Sequence, residues 1–246
     1  SFSNPRPRNF AAMSIVGCST FGFLVFFISL LPNISYSQES LRLNYAARVG
    51  PLNAGNLIID LRPTPTTYEF LGRFKTSQMM ERYYKWSGVF AAKGVLLDDR
   101  FLTEAYFTKT EDKKRKQVVI FSDKEVRRLR KTVEGFKTKP RPRGVDLISA
   151  LFLSPNCYEG SQVHDGEDDY FIEIKKKYKQ RLRAAARYFS GQVTVCRYHL
   201  KDNKNRSRSL EVAIGRIGER ELAVKVVARV PLLPNPTFRL LVDPKT

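Results

Sequence analysis

The sequence predicts a mainly β protein: an open, curved antiparallel sheet, a half-barrel with one short central helix, behind an N-terminal signal or anchor helix. Three observations predict it. From Leu41 onward, apolar and polar residues alternate in short runs punctuated by Gly, Pro and Asp, the pattern of a half-buried sheet. The segment from Asp146 to Leu153 breaks that alternation with helical spacing. Residues 1–37 carry two arginines, a long apolar stretch and a small-residue cut site.

Arg6 and Arg8 precede apolar residues from Phe10 to Leu31, and Pro32-Asn33 ends the run. Ser35-Tyr36-Ser37 then places small residues where a cut before Gln38 needs them. These are the n-region, h-region and cleavage site of a secretory signal. A run of about twenty apolar residues also suffices for one bilayer crossing. Two outcomes are therefore expected for residues 1–37: a cleaved signal peptide, or an uncleaved inner-membrane anchor. Either one leaves residues 38–246 as a single exported domain. Ile15-Val16-Gly17-Cys18 resembles a lipoprotein box, but its apolar run follows the cysteine instead of preceding it.

The strands follow in order. Leu41 to Val49 alternates, Gly50-Pro51 turns it, and Ala54 to Leu61 returns until Pro63 and Pro65 break it. Tyr68 to Lys75 sets Tyr68, Phe70 and Gly72 on one face, opposite Glu69, Leu71 and Arg73. Met79 to Trp86, Val89 to Leu97 and Arg100 to Lys109 continue the series past Gly88 and the Asp98-Asp99 turn. Lys113 to Phe121 and Glu125 to Val133 make another pair. Gly135 to Arg143 reads as a basic, proline-bearing loop. Asp146 then caps a short helix carrying Leu147, Ile148, Leu151 and Phe152, which Pro155 stops. Strands resume at Asp169–Lys175 and Gly191–Leu200. A hairpin, Leu210–Ile217 with Leu222–Val230, turns at Gly218-Glu219, and Phe238 to Val242 is a last edge strand. Lys176 to Phe189 fits a helix by its alanines and cations, or a long twisted strand. Such spacing indicates a meander that can leave one face in water.

The formal charge is +19, and only Arg6 and Arg8 of it lie in the leader, so +17 falls on the domain. That charge implies an anionic partner or surface. Outside the cytoplasmic membrane the anions are lipid head groups, lipopolysaccharide, acidic glycans and acidic proteins. Arg82-Tyr83-Tyr84-Lys85-Trp86 has the aromatic-basic mixture that suits single-stranded nucleic acid, but no RNA-binding signature accompanies it and the leader argues against it. The domain retains Cys157 and Cys196, an even pair in an exported chain, which predicts a disulfide rather than two buried thiols. Such a bridge contributes roughly 4 kcal/mol in the chain-entropy treatment. No CxxC occurs, and His164 and His199 are the only histidines.

Several motifs carry a family resemblance. Leu43-Asn44-Tyr45-Ala46-Ala47-Arg48-Val49-Gly50-Pro51-Leu52-Asn53-Ala54-Gly55, Lys75-Thr76, Gly144-Val145-Asp146-Leu147-Ile148-Ser149-Ala150-Leu151 and Val163-His164-Asp165-Gly166-Glu167-Asp168-Asp169-Tyr170 stand in that order. Together they resemble the bacterial exported family of domain of unknown function 3108, over roughly residues 41 to 230. Tyr198-His199-Leu200-Lys201 departs from it, standing where the family often has a Gly-His pair. The resemblance implies a curved half-barrel wrapped around a helix, similar to lipoprotein carriers, with Cys157 and Cys196 bridged. It implies no established activity.

No catalytic, metal-binding or cofactor-binding residue is assigned, and no cofactor is expected. His164, Asp165, Glu167, Asp168 and Asp169 read as a polar turn with Gly166 at its tip; the spacing of a calcium loop is absent. There is no Gly-x-Ser-x-Gly elbow for a nucleophile, and Ser149 falls within an apolar helix. Aromatic residues crowd the first strands, and most belong to the core. Tyr84, Trp86, Phe90 and Tyr106 are the candidates to line an apolar groove where the helix leaves the sheet uncovered. The expected role is a non-enzymatic periplasmic envelope protein, binding a lipid, lipoprotein or peptide in its concavity or an anionic envelope partner through its basic face. An enzyme of envelope polymers and a structural or regulatory domain without small ligand are the alternatives.

Overall fold

The computed structural model describes residues 40–82, 85–97, 100–112, 116–121, 125–130, 136–140, 142, 144–166, 168–185, 187–229 and 235–242. The expected leader, residues 1–37, and the groove candidate Tyr84 lie outside them. The strands are β1 (Leu41–Val49), β2 (Leu52–Pro63), β3 (Thr67–Thr76), β4 (Trp86–Leu97), β5 (Arg100–Asp112), β6 (Lys116–Phe121), β7 (Glu125–Arg130) and β8 (Phe136–Pro140). They continue as β9 (Val145–Asp146), β10 (Gln162–His164), β11 (Asp169–Leu182), β12 (Gly191–Asp202), β13 (Ser207–Ile217), β14 (Arg220–Arg229) and β15 (Pro236–Leu241). All join one open sheet in the order β8-β7-β6-β5-β4-β3-β2-β1-β15-β14-β13-β12-β11-β10-β9. The sheet is mixed and not wholly antiparallel, because β9 and β10 run parallel.

Alternation decides which side chains face inward. Leu43, Tyr45 and Ala47 of β1 pair with Ile59, Leu57 and Gly55 of β2 on the buried face. Between β3 and β4, large residues stand opposite small ones. Tyr68 faces Gly94, Phe70 faces Ala92, Phe74 faces Gly88, and Phe90 faces Gly72. The Phe90 ring lies over Gly72 so closely that a Cβ there would come within 1.8 Å of it. Rings and hydrogens thus interlock across the ladder, and the wall is filled without a second layer of strands.

A bulge between β4 and β5 shifts the inward set by one residue. Phe101 and Thr103 point in before it and Tyr106 after it, all three buried. Such bulges bend a strand and strengthen its twist. The bend matters here, because β9, at one end of the strand order, packs against β5 near the other. The sheet therefore curls over its own core without closing into a barrel.

The interior is filled by one helical turn. Leu147 and Ile148 begin it, and Ser149–Leu153 continue as a wide π turn whose five residues are all buried. The Asp146 carboxylate accepts from the Ser149 N–H at 2.9 Å, the expected cap. Phe152 meets Tyr45 edge-on at 5.4 Å, and the Tyr45 hydroxyl donates to the Ala223 carbonyl at 2.7 Å.

Local expectations are corrected at several places, first at β15: the expected edge strand instead pairs on both sides, with β1 and β14. The expected strand Met79–Trp86 begins instead as a short helix, α1 (Gln78–Glu81), because the Ser77 side chain accepts from Met80 N and donates to the Asn53 carbonyl, and Trp86 opens β4. The described chain therefore has two short helices, not one. Within the expected loop Gly135–Arg143, Phe136–Pro140 pairs with β7 as an edge strand, where proline is tolerated. The ambiguous stretch after Lys175 is strand as far as Leu182, and the connection that follows folds back. Its Phe189 N–H donates to the Leu240 carbonyl at 3.1 Å, and the Val242 N–H donates to the Arg187 carbonyl at 2.8 Å.

The Gly72–Phe90 contact gives a test. Gly72→Ala should lower unfolding stability by about 1–3 kcal/mol, the usual cost of overpacking. In urea denaturation, Phe90→Leu should remove much of that penalty in a double-mutant cycle; equal penalties with either residue at position 90 would mean the ring is not the obstacle.

Candidate functional site

The site is the mouth at one end of the curled sheet, and a buried polar cluster holds its wall in place. The Thr103 hydroxyl donates to Asp146 Oδ2 at 2.8 Å and accepts from the Asp146 N–H at 3.0 Å. The Tyr68 hydroxyl lies 3.1 Å from Thr103 Oγ1. A threonine has one proton to give, so Tyr68 is the donor there. This cluster joins β3, β5 and β9, which share no backbone ladder across the seam. Ser149 is fully buried, and its hydroxyl has no partner at hydrogen-bond geometry among the described residues. It lies near enough to Asp146 and Tyr68 to bear on their ionisation.

Asp146 has no exposed surface. Burial pushes its carboxyl up from the ordinary value near 3.8, and the hydrogen bonds from Ser149 and Thr103 offset that only in part. Burial also raises the Tyr68 phenol, and the nearby Asp146 carboxylate adds to the effect.

The segment after the π turn crosses the mouth and is fastened to β12. Cys157 and Cys196 form the expected disulfide, with Cα atoms 5.6 Å apart. Two residues further along the same face of β12, the Tyr198 hydroxyl accepts from the Tyr158 N–H at 2.6 Å; burial raises that phenol to about 12. Glu159 pairs with Lys177 of β11 at 3.7 Å.

Two adjoining clefts open on either side of Phe101 and Pro155, which line both. The larger, about 680 Å³, runs between Leu102, Val145, the Cys157–Ser161 segment and Lys177. The smaller, about 300 Å³, is apolar: Leu61, Tyr68, Leu96, Leu153 and Leu222 line it, with Arg220 at its rim. It lies where the π turn ends and the sheet is left uncovered.

Comparison with protein-family models, curated proteins and solved structures found no match. The site is therefore read from its own chemistry.

Of the groove candidates, Trp86 packs on Phe74 at 4.4 Å and Phe90 on Phe70 at 6.3 Å. Tyr106 is buried edge-on to His164 at 5.8 Å. None of these three lines either cleft of the mouth. They furnish the inner wall instead: Gly72 opposite Phe90 and Ala92 opposite Tyr106 leave room for those two rings, and Trp86 stacks beside Phe74.

His164 and Asp169 pair at the ends of β10 and β11, and the Asp165 N–H donates to the Asp168 carbonyl at 3.3 Å between them, with Glu167 outside the described residues. Asp165 accepts from the Asp168 N–H at 2.9 Å and from the Tyr170 hydroxyl at 2.7 Å. His164 is fully buried, and its Nδ1 accepts from the Gly166 N–H at 3.2 Å. Gly166 has φ +90°, and a Cβ there would come within 2.5 Å of the Tyr106 ring. Among the described residues no three His, Cys, Asp or Glu side chains converge as metal ligands, and no helix is long and apolar enough to cross a membrane. The disulfide fits an oxidising compartment.

Leu61, Leu96, Leu153, Leu222 and Arg220 escaped sequence reasoning. Each looks like an ordinary core or turn residue, and only the curl brings them to one rim. The Pro155 stop was the available signal, since it marks where helical cover ends.

Asp146 makes stability depend on pH in a defined sense. A carboxyl raised in the folded state stabilises fully below its unfolded value, and the contribution is lost as pH rises through the folded value. Asp146→Asn cannot ionise, so the stability of this variant relative to the parent should improve steadily as pH rises from about 4, read by urea unfolding across pH. A difference that does not vary with pH would place an ionised Asp146 in the fold. Reducing the Cys157–Cys196 bridge should cost roughly 4 kcal/mol, measured by denaturant midpoint with and without reductant.

Proposed function

We propose that this is a non-enzymatic exported protein of the cell envelope, periplasmic or held at the inner membrane by residues 1–37. In this reading it carries a single-chain anionic lipid or the acyl chain of a lipoprotein. It belongs with the curved-sheet proteins that the domain of unknown function 3108 resemblance implies, similar in plan to lipoprotein carriers.

The apolar cleft at the mouth carries the reading. It is the size at which small-molecule pockets begin, about 300–1,000 Å³, and four leucines, Tyr68 and Phe101 make up much of its wall, with Thr64, Thr67, Glu219 and Glu221 also lining it. Each methylene transferred there from water contributes roughly 0.8 kcal/mol. Arg220 stands at the rim of this cleft and Lys177 in the adjoining one, so an anionic head group has cations on both sides. Supporting the non-enzymatic part, of the carboxylates at this rim Glu219 sits in the exposed β13–β14 turn, and Glu221, on β14, lies 3.9 Å from Arg216. The buried Asp146 opens onto no cleft of the mouth.

Native mass spectrometry of gently extracted protein should show bound lipid, and a fluorescent long-chain fatty acid should raise the melting temperature by mass action. Leu96→Asp places a charge in the apolar wall and should weaken the fatty acid about tenfold or more. Lipid-free protein from repeated extractions, together with fatty-acid affinity indifferent to Leu96→Asp, would reject the reading.

A further inference from the structure

Strand β11 is paired on one side only for most of its length. β10 covers Asp169–Phe171 on its outer edge, and the Ile172 N–H donates to the Ser161 carbonyl at 3.1 Å. From Glu173 to Leu182 that edge makes no backbone hydrogen bond to any described residue. Ile172, opposite Leu200, therefore directs its N–H away from β12. The bulge at Lys175 moves the alternation by one residue, so Lys177, Lys179 and Arg181, opposite Cys196, Thr194 and Gln192, take the outward direction after it.

This edge is charged on both faces. Lys177, Lys179 and Arg181 project on the face of Cys196. On the opposite face, Lys176 lies 5.4 Å and Arg197 5.5 Å from the centre of the Tyr178 ring. No Asp or Glu occurs between Ile174 and Ser190. Lys177 is paired with Glu159 and Lys175 with Glu173; Lys179 and Arg181 have no ion pair among the described residues.

A row of lysines is the common guard of an exposed edge, because a second copy would bring like charges together across the new ladder. The same row leaves the backbone open to a strand of opposite sign. A flat anionic surface can touch one face of this ribbon. A strand added in the plane of the sheet sends its side chains alternately to both faces and meets both sets of cations. We propose that the free edge of β11, from Lys176 to Leu182, takes an extended Asp/Glu-rich peptide segment as an added strand. This is independent of the lipid cleft, and Lys179 and Arg181 line neither lobe of the mouth.

The probe is a synthetic peptide of alternating glutamate and valine, titrated into the full chain. Binding should weaken with salt and slow amide exchange at Lys177, Lys179 and Arg181 about tenfold or more. Lys179→Glu with Arg181→Glu removes the charge match, and Lys179→Pro removes one outward N–H that no neighbouring strand uses. Each should lower peptide affinity about tenfold with fatty-acid binding and melting temperature kept. Three results overturn the proposal. Peptide binding without amide protection would mean charge alone. Phosphatidylglycerol vesicles bound as tightly as the peptide, with Lys179→Pro indifferent, would mean a membrane surface. Protection of the same amides by dimerisation of the protein alone would mean a second copy.

Discussion

A carboxyl group sealed from water holds this sheet in its curl. Across the seam between β5 and β9 there is no ladder of backbone hydrogen bonds, so the closure depends on the Thr103 hydroxyl, the Asp146 carboxyl and main chain, and the Tyr68 phenol. Asp146 serves twice, since its other oxygen caps the turn that fills the interior. A group so placed is costly to bury unless its hydrogen bonds are made. Its position thereby selects one arrangement of β3, β5, β9 and the π turn together, and that arrangement sets the floor of the mouth.

Packing follows from the same economy of space. The wall formed by β3 and β4 has rings set against glycine and alanine on the neighbouring strand, which lets a curved sheet fill its concavity from one side. The π turn supplies the remainder, with Leu151, Phe152 and Leu153 buried. Where Pro155 ends that turn, filling stops and the apolar cleft begins. The disulfide and the Tyr158–Tyr198 hydrogen bond then fix the covering segment to β12, so the mouth has a rigid rim on that side.

Cations are distributed by a different rule. The inward faces of the strands are apolar, and the charge of the domain is left to edges and outer faces. On β11 the bulge at Lys175 decides which cations share a face: it sets Lys177 toward the mouth and Lys176 toward Tyr178. A sequence run of three lysines is thereby divided between two surfaces.

Much of the architecture was legible in the order of residues. Alternation in Leu41–Val49 and Tyr68–Lys75 assigns strand and face, because a pleat has period two and only one side is buried. Asp146 with an apolar helical pattern and Pro155 fixes a capped turn, because those groups satisfy or remove terminal hydrogen bonds. Cys157 and Cys196 predict their own bridge. Three things needed the tertiary structure. The helix at Gln78–Glu81 depends on Ser77 reaching both Met80 and Asn53, a contact with the neighbouring strand β2 made across 24 residues of chain. The bulges of β5 and β11 turn later residues to the other face, which no local pattern announces. The mouth gathers Leu61, Leu96, Phe101, Leu153 and Leu222 from segments far apart in the chain, so its existence was decided by the curl of the sheet and not by any motif within it.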